Sequence, residues 1–338
     1  MRKGTKCLPL DLVQQFSKEH PGCWELVEHL RDGMYDDNES DYPKWDDKLV
    51  YIPIGACQAV MQYFGAKSFA VDNGGSMELG AMELAALAAW RYHKVVYNFS
   101  DNLSKALISQ AEDTGNMIIP MQAFKKLPEY CAYIHAPNEI EWFEYDGFFV
   151  HLEQDMHTKQ FELRMLFTVK EPNGYAMTPA ILDMVDNKTI SESVNELLSR
   201  AVKKSNGIRK TNYLSQFDQI QSCLQEALKI AIQFVLYICA DNASIEPDEE
   251  QQRLYHPAAT IKDKFREVDI ENAGFKVLLP EDTIINRNES FPSEESGSQS
   301  SPRQHLRRGH WQHYWTGPRT DKENRNLVLH WVMPTIVN

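Results

Sequence analysis

The chain has no Cys-x-x-Cys pair, no Walker phosphate loop, no H-E-x-x-H zinc motif and no G-x-S-x-G nucleophile elbow. Thiol exchange, P-loop phosphoryl transfer, zincin proteolysis and α/β-hydrolase chemistry therefore have no sequence frame to occupy. The six cysteines, Cys7, Cys23, Cys57, Cys131, Cys223 and Cys239, are scattered. Several lie in apolar contexts such as Tyr237-Ile238-Cys239-Ala240, where a reduced cysteine behaves as a small buried hydrophobe. Long apolar runs are missing as well: the longest, Ala227 to Ala240, contains Lys229 and is shorter than the ~20 residues of a membrane helix. The basic start Met1-Arg2-Lys3 breaks at Pro9 and turns polar by Gln14, which gives no signal peptide. A cytoplasmic protein without a membrane partner is expected. Positive charge is scarce, with 35 Lys and Arg against 48 Asp and Glu, for a net charge of -13. That balance excludes a broad positive field for nucleic acid or anionic lipid.

What is present suffices for a folded globular protein of 338 residues, 43% hydrophobic and 25% charged. The pattern predicts an α+β fold: a helical amino-terminal part, a central antiparallel sheet, a long core helix and a C-terminal β tail packed back on the body. The body is expected over 1–280, helical over 8–126, a β meander over 129–170 and helical again over 176–240. Leu12, Val13 and Phe16 precede a Pro21-Gly22 break, and Trp24, Val27 and Leu30 recur at helical spacing. An acidic loop follows from Asp36 to Asp47. Asn73-Gly74-Gly75 reads as a turn before an alanine-rich helix opened by Ser76. Ile140 to Leu152 predicts a hairpin turning at Asp146-Gly147, and Phe161, Leu163, Met165, Phe167 and Val169 alternate with polar residues as in a half-buried strand.

Further helices are predicted over Thr178 to Asp186, Ser191 to Lys203 and Tyr213 to Ala240, the last with one apolar stripe. Asp241 to Ile261 reads as a polar loop. Residues 281–301, with Ser293-Glu294-Glu295-Ser296, have the composition of a flexible tether. No internal repeat is visible.

The C-terminal motif, 302–338, reverses the charge of the rest. From Pro302 to Arg325, Arg303, Arg307, Arg308, Arg319, Lys322 and Arg325 face only Asp321 and Glu323, interleaved with His305, His310, Trp311, His313, Tyr314 and Trp315. Guanidinium groups beside indole and phenol rings combine directed donors with rigid apolar faces, which suits recognition of peptide, phosphate or stacked bases. Trp311 to Thr316 and Leu327 to Val332 read as strands. Alternation then sets His310, Gln312 and Tyr314 on one face and Trp311, His313 and Trp315 on the other. His310 and His313 point apart, and no acidic third ligand is fixed by spacing, so no metal site, cofactor or catalytic residue is assigned. The predicted partner-binding residues are Arg307, Arg308, His310, Trp311, His313, Tyr314, Trp315 and Trp331. Arg307 and Arg308 have a second reading, in which they dock the tail on the acidic body.

The run Pro302 through Gly317, with Trp331, Pro334 and Val337-Asn338, resembles the C-terminal signature of a type V-A anti-CRISPR family that lowers expression of the effector nuclease. Asp72-Asn73-Gly74, Ala89-Trp90-Arg91, Leu127-Pro128 with Cys131 and Tyr133, and Val235 to Ala240 match more weakly. The resemblance implies a non-enzymatic protein of mobile genetic elements. Its partner would be the nascent N-terminal peptide of a type V-A CRISPR effector nuclease, whose mRNA is lost during translation with the ribosome or a host ribonuclease as further partner. The alternatives are an RNA-binding protein or nuclease using the C-terminal Arg/His/Trp motif, and a structural adaptor whose tail only completes the core.

Overall fold

The computed structural model describes residues 7–36, 44–65, 76–114, 116–118, 121–135, 145–156, 158–171, 174–184, 188–204, 226–248, 268–276, 305–320 and 325–337. The expected tether, 281–301, lies outside these residues, as do Asn73-Gly74-Gly75, most of the Asp36–Asp47 loop and Tyr213 to Gln225.

A seven-stranded sheet organises the molecule, in the order β5-β4-β3-β2-β1-β7-β6. Its strands are β1 (Val95–Phe99), β2 (Cys131–His135), β3 (Tyr145–Gln154), β4 (Phe161–Glu171), β5 (Gly174–Asp183), β6 (Ile245–Pro247) and β7 (Asp269–Ala273). The β2 to β5 segment is the antiparallel meander expected from the alternating aromatics. At the centre, β1 pairs in parallel with both β2 and β7. The α+β class therefore holds, with a sheet that is mostly antiparallel.

Helices pack on both faces. Under one lie α1 (Leu8–Glu19), α2 (Cys23–Asp36), α3 (Ile54–Tyr63) and α4 (Ser76–His93), sharing a core with Val96, Cys131, Tyr133, Phe149, Leu166 and Ile270. The opposite face, through Val95, Tyr97, Phe99, Ile134, Phe148, Val150 and Met165, meets α5 (Asp101–Thr114), α6 (Met121–Phe124), α7 (Ile190–Lys204) and α8, helical over residues 226–238. Consecutive strand residues supply opposite cores, as the period-two geometry of a strand requires. The described cysteines, Cys7, Cys23, Cys57, Cys131 and Cys239, are free and buried.

Three expectations are corrected. Thr178 to Asp183 is not helical but belongs to β5, because its apolar residues pair along β4, with Leu182 beside Leu163 and Ala180 beside Met165. Asp146-Gly147 is not a hairpin turn. It lies inside β3 at a bulge, where Thr168 Oγ1 donates to the Gly147 carbonyl and a side chain at 147 would run into the Tyr133 ring and the Ile134 carbonyl. The region 8–126 is not all helical: β1 follows directly on α4, and the Trp90 indole, donating to the Val95 carbonyl at 2.8 Å, ties the helix end to the strand.

Four short strands form the C-terminal ribbon: β8 (His305–Arg307), β9 (His310–Thr316), β10 (Asn326–Val332) and β11 (Thr335–Val337). They are assigned as two small sheets, yet the alignment is continuous, since Arg307 faces Thr335, His310 faces Val332 and Thr316 faces Asn326. One antiparallel hairpin thus runs through both, nicked at Arg308-Gly309 opposite Met333-Pro334. Proline has no N–H to give the ladder, and Gly309 sits close against Pro334 and Trp331, where a Cβ would come within 3.1 Å of each.

Candidate functional site

The ribbon is bolted to the body by its indoles. Trp311 and Trp331 stand opposite each other across β9 and β10 and are 7% and 2% exposed. Trp311 Nε1 donates to Gln233 of α8 at 2.7 Å, and Trp331 Nε1 donates to Gln110 of α5 at 3.0 Å. Tyr237 of α8 packs edge-on against Trp331, with Leu327 and Leu329 completing the buried face of β10. A buried tryptophan requires a partner for its N–H, and each glutamine side chain supplies one.

The outer edge of β10 is closed by the two residues after the apolar end of α8. Asp241 donates its backbone N–H to the Leu329 carbonyl and accepts the Leu329 N–H on Oδ2, both at 2.8 Å. Asn242 accepts from the Trp331 N–H at 3.0 Å and donates to the Trp331 carbonyl at 2.8 Å. Lys126 holds the Asp241 carboxylate at 2.6 Å. Asp241 and Asn242 act as a short surrogate strand.

The remaining predicted residues reach solvent. His310 is half-buried; Arg307, Arg308, His313, Tyr314 and Trp315 are exposed, the last two at 47% and 40%. Arg307 and Gln312 lie within hydrogen-bonding range of His310 Nε2, at 3.4 and 3.2 Å. Arg325 stands 5.8 Å over the Trp315 ring. The eight residues therefore do not form one surface: two indoles fasten the ribbon, while the other six side chains, on both of its faces, are exposed or half-buried. Among the described residues no group of three or more His, Cys, Asp or Glu could hold a metal ion, and no helix is long and apolar enough to cross a membrane.

Two clusters on the body gave no sequence signal. A cavity of about 270 Å³ at one end of the central strands is lined by Lys48, Tyr92, His93, Glu129 and Tyr130, among others. His93 stacks on Tyr130, which Tyr92 and Tyr51 meet edge-on. Tyr97 donates to Glu129 Oε1 at 2.9 Å. Burial, with Glu271 and Asp269 nearby, lifts the Glu129 carboxyl to about 7 against that hydrogen bond. The second cluster is sealed beneath α3, where His151 and Glu153 on β3 face Arg164 and Glu162 on β4. Neither ring nitrogen of His151 has a hydrogen-bond partner, and burial with Arg164 lowers its pKa to about 3. Burial also raises Glu153 to about 7, although Arg164 pulls the other way. Lys48, His93 and Glu129 come from separate connecting segments, and His151 and Glu153 meet Arg164 and Glu162 only through the β3–β4 register, so neither cluster leaves a contiguous motif in the sequence.

Residues 97–338 match the sequence pattern of the AcrVA2-like family, described as an anti-CRISPR type V subtype A2 family. The chain belongs to this anti-CRISPR family. The fold agrees: a crystal structure of AcrVA2 superposes with a TM-score of 0.58 at 14% identity, covering 99% of this chain and 100% of that one. No curated protein matches the chain by sequence. The matched AcrVA2-like region begins within β1 and takes in the rest of the sheet, α8 and the whole ribbon, so Trp311, Trp331, Gln110 and Gln233 of this chain all lie inside it.

Proposed function

We propose that this protein lowers production of a type V-A CRISPR effector nuclease by recognising the effector's N-terminal peptide as it emerges during translation. Loss of the message follows, carried out by the ribosome or a host ribonuclease. The protein itself makes and breaks no covalent bond, and it works in the cytoplasm where the effector is translated. Membership of an anti-CRISPR family supports the target system. The observation that carries the reading is the division of labour in the ribbon: Trp311 and Trp331 are committed to the body, while Arg307, His313, Tyr314 and Trp315 are held out to solvent. Rigid aromatic groups displayed on a docked element are suited to be anchors in a partner's surface. The acidic body would speed encounter with basic stretches of the peptide and reject other partners.

The test is a reporter fused to the effector's leader in cells that express the protein. Repression should survive synonymous recoding of the leader and vanish when a frameshift changes its amino acids. Repression that follows the nucleotide sequence ends this reading.

A second reading, RNA binding by the ribbon, is favoured by Arg325 over the exposed Trp315 ring, an arrangement that could stack a base and contact phosphate. Fluorescence anisotropy with a labelled single-stranded RNA decides it: binding that weakens steeply with salt supports the RNA reading, and none at low salt removes it.

A further inference from the structure

Among the described residues the ribbon has one closed edge and one open edge, and the hydrogen-bond parity says which backbone groups lie on the open one. Leu329 and Trp331 spend both their N–H and C=O on Asp241 and Asn242, so they face away from β9. Their opposite numbers, His313 and Trp311, are then non-hydrogen-bonded pairs of the antiparallel ladder. By the same alternation Val328 with Tyr314 and His330 with Gln312 exchange the ladder bonds, and Trp315 follows the pattern of His313. The N–H and C=O groups of Trp311, His313 and Trp315 therefore point outward from β9, and no hydrogen bond from them to any described residue is present.

Other sheet edges are guarded as soluble proteins usually guard them. β5 carries Pro179 with α7 packed against it, and β6 is three residues long and ends on Pro247. β9 has seven residues without proline. Its underside also overhangs: Leu327 and Leu329 of β10 are 3% and 2% exposed, whereas Trp315 and His313, opposite them on the same face, are exposed. A strand added beside β9 would find this face uncovered. The ribbon sequence carries Arg307, Arg308, Arg319, Lys322 and Arg325 against Asp321 and Glu323, an excess of positive charge beside an acidic body.

We infer that the open edge of β9 is a docking seat for an extended, carboxylate-bearing peptide segment, which adds to the ribbon as a third strand through Trp311, His313 and Trp315. Main-chain hydrogen bonds supply affinity in this mode, and alternate side chains of the guest supply specificity against Trp315, Tyr314 and the arginines. The inference rests on the peptide-recognition reading and assigns it a place and a register.

The test uses the full-length protein and a synthetic peptide of the effector's N-terminal segment. In the free protein the amides of Gln312 and Tyr314 should exchange slowly with deuterium, being ladder donors, and those of His313 and Trp315 fast. Saturating peptide should slow His313 and Trp315 by tenfold or more. His313→Ala, which keeps the N–H, reports the loss of the side chain alone; His313→Pro removes the outward N–H as well without touching a ladder bond, so it should bind the peptide about tenfold more weakly than His313→Ala, the scale of one hydrogen bond. Peptide binding that leaves His313 and Trp315 exchanging fast overturns the seat while the peptide reading stands. Absence of any binding to the wild-type protein overturns both. Slow exchange at these amides without peptide, rising with protein concentration, would give the edge to a second copy of the chain and sink the proposal.

Discussion

The Trp311 indole donates to Gln233 Oε1 at 2.7 Å, linking the C-terminal ribbon to α8 through two side chains that are both buried. Removing either end has unequal consequences. Gln233→Leu keeps the volume but leaves the indole N–H unpartnered in the core, and should cost ~1–3 kcal/mol. Urea unfolding followed by tryptophan fluorescence measures it, and an unchanged midpoint would show that the bond adds nothing.

Trp331 is the deeper fastening. Trp331→Ala should cost ~3–5 kcal/mol through the cavity it leaves among Tyr237, Leu327 and Leu329. Trp331→Phe retains much of the ring packing and should cost less, losing chiefly the donation to Gln110. If ribbon and body unfold as one unit, both variants shift a single transition; a separate early transition would show that the ribbon detaches on its own.

Asp241 closes the β10 edge and binds Lys126. Asp241→Ala should cost ~1–3 kcal/mol, mainly because the Leu329 N–H loses its acceptor. Its mark is local: amide exchange of Leu329 should accelerate while the β3 and β4 amides keep their protection. Equal acceleration everywhere would assign Asp241 to global stability only.

Glu153 sets a pH dependence whose sign is unusual for a carboxylate. Burial raises its folded-state value to about 7 from the ordinary 4.5, so the folded protein holds a proton that the unfolded chain has released between those limits. Stability then falls as pH rises through that window, by ~1.4 kcal/mol per pH unit for this group, until its folded pKa is passed. Glu129 and Glu83 are raised to about 7 as well and act in the same window. Glu153→Gln, neutral at every pH, should flatten part of that decline and make the protein more stable than wild type at pH 8. Denaturation midpoints at pH 5 and pH 8 test it, and parallel profiles would refute it.

Gly147 accepts no side chain. A Cβ there would meet the Tyr133 hydroxyl at 2.7 Å as well as backbone of β2, so Gly147→Ala should destabilise by ~1–3 kcal/mol through displacement of the β2–β3 pairing. Wild-type thermal stability in this variant would contradict the close approach.

Legibility in the sequence followed the range of the interaction. The alternation from Phe161 to Val169 and the apolar stripe of the helix containing Val235 are local signals, and both gave the right element. The two ribbon strands were readable for the same reason. β1 was hidden because its five residues follow an alanine-rich helix after only Lys94, with no Gly or Pro to mark the end of the helix. β5 was mistaken for helix because its partner β4 alone decides which of its residues are buried. At the site, residue types pointed to the ribbon, but composition does not say which indole faces in. That depends on Gln110 and Gln233, 221 and 78 positions away from their partners, which no window of the sequence connects.

The shared alignment across the Gly309–Pro334 nick makes the ribbon's length a matter of even and odd. A residue inserted beyond Thr316, at the hairpin's tip, lengthens the connection and disturbs no pair. One inserted between Arg308 and Trp311 would shift β8 a step against β11 and turn Arg307 over relative to the fastening tryptophans. Relatives of this chain should therefore vary freely in size at the tip and keep a fixed count from Arg307 to Trp311.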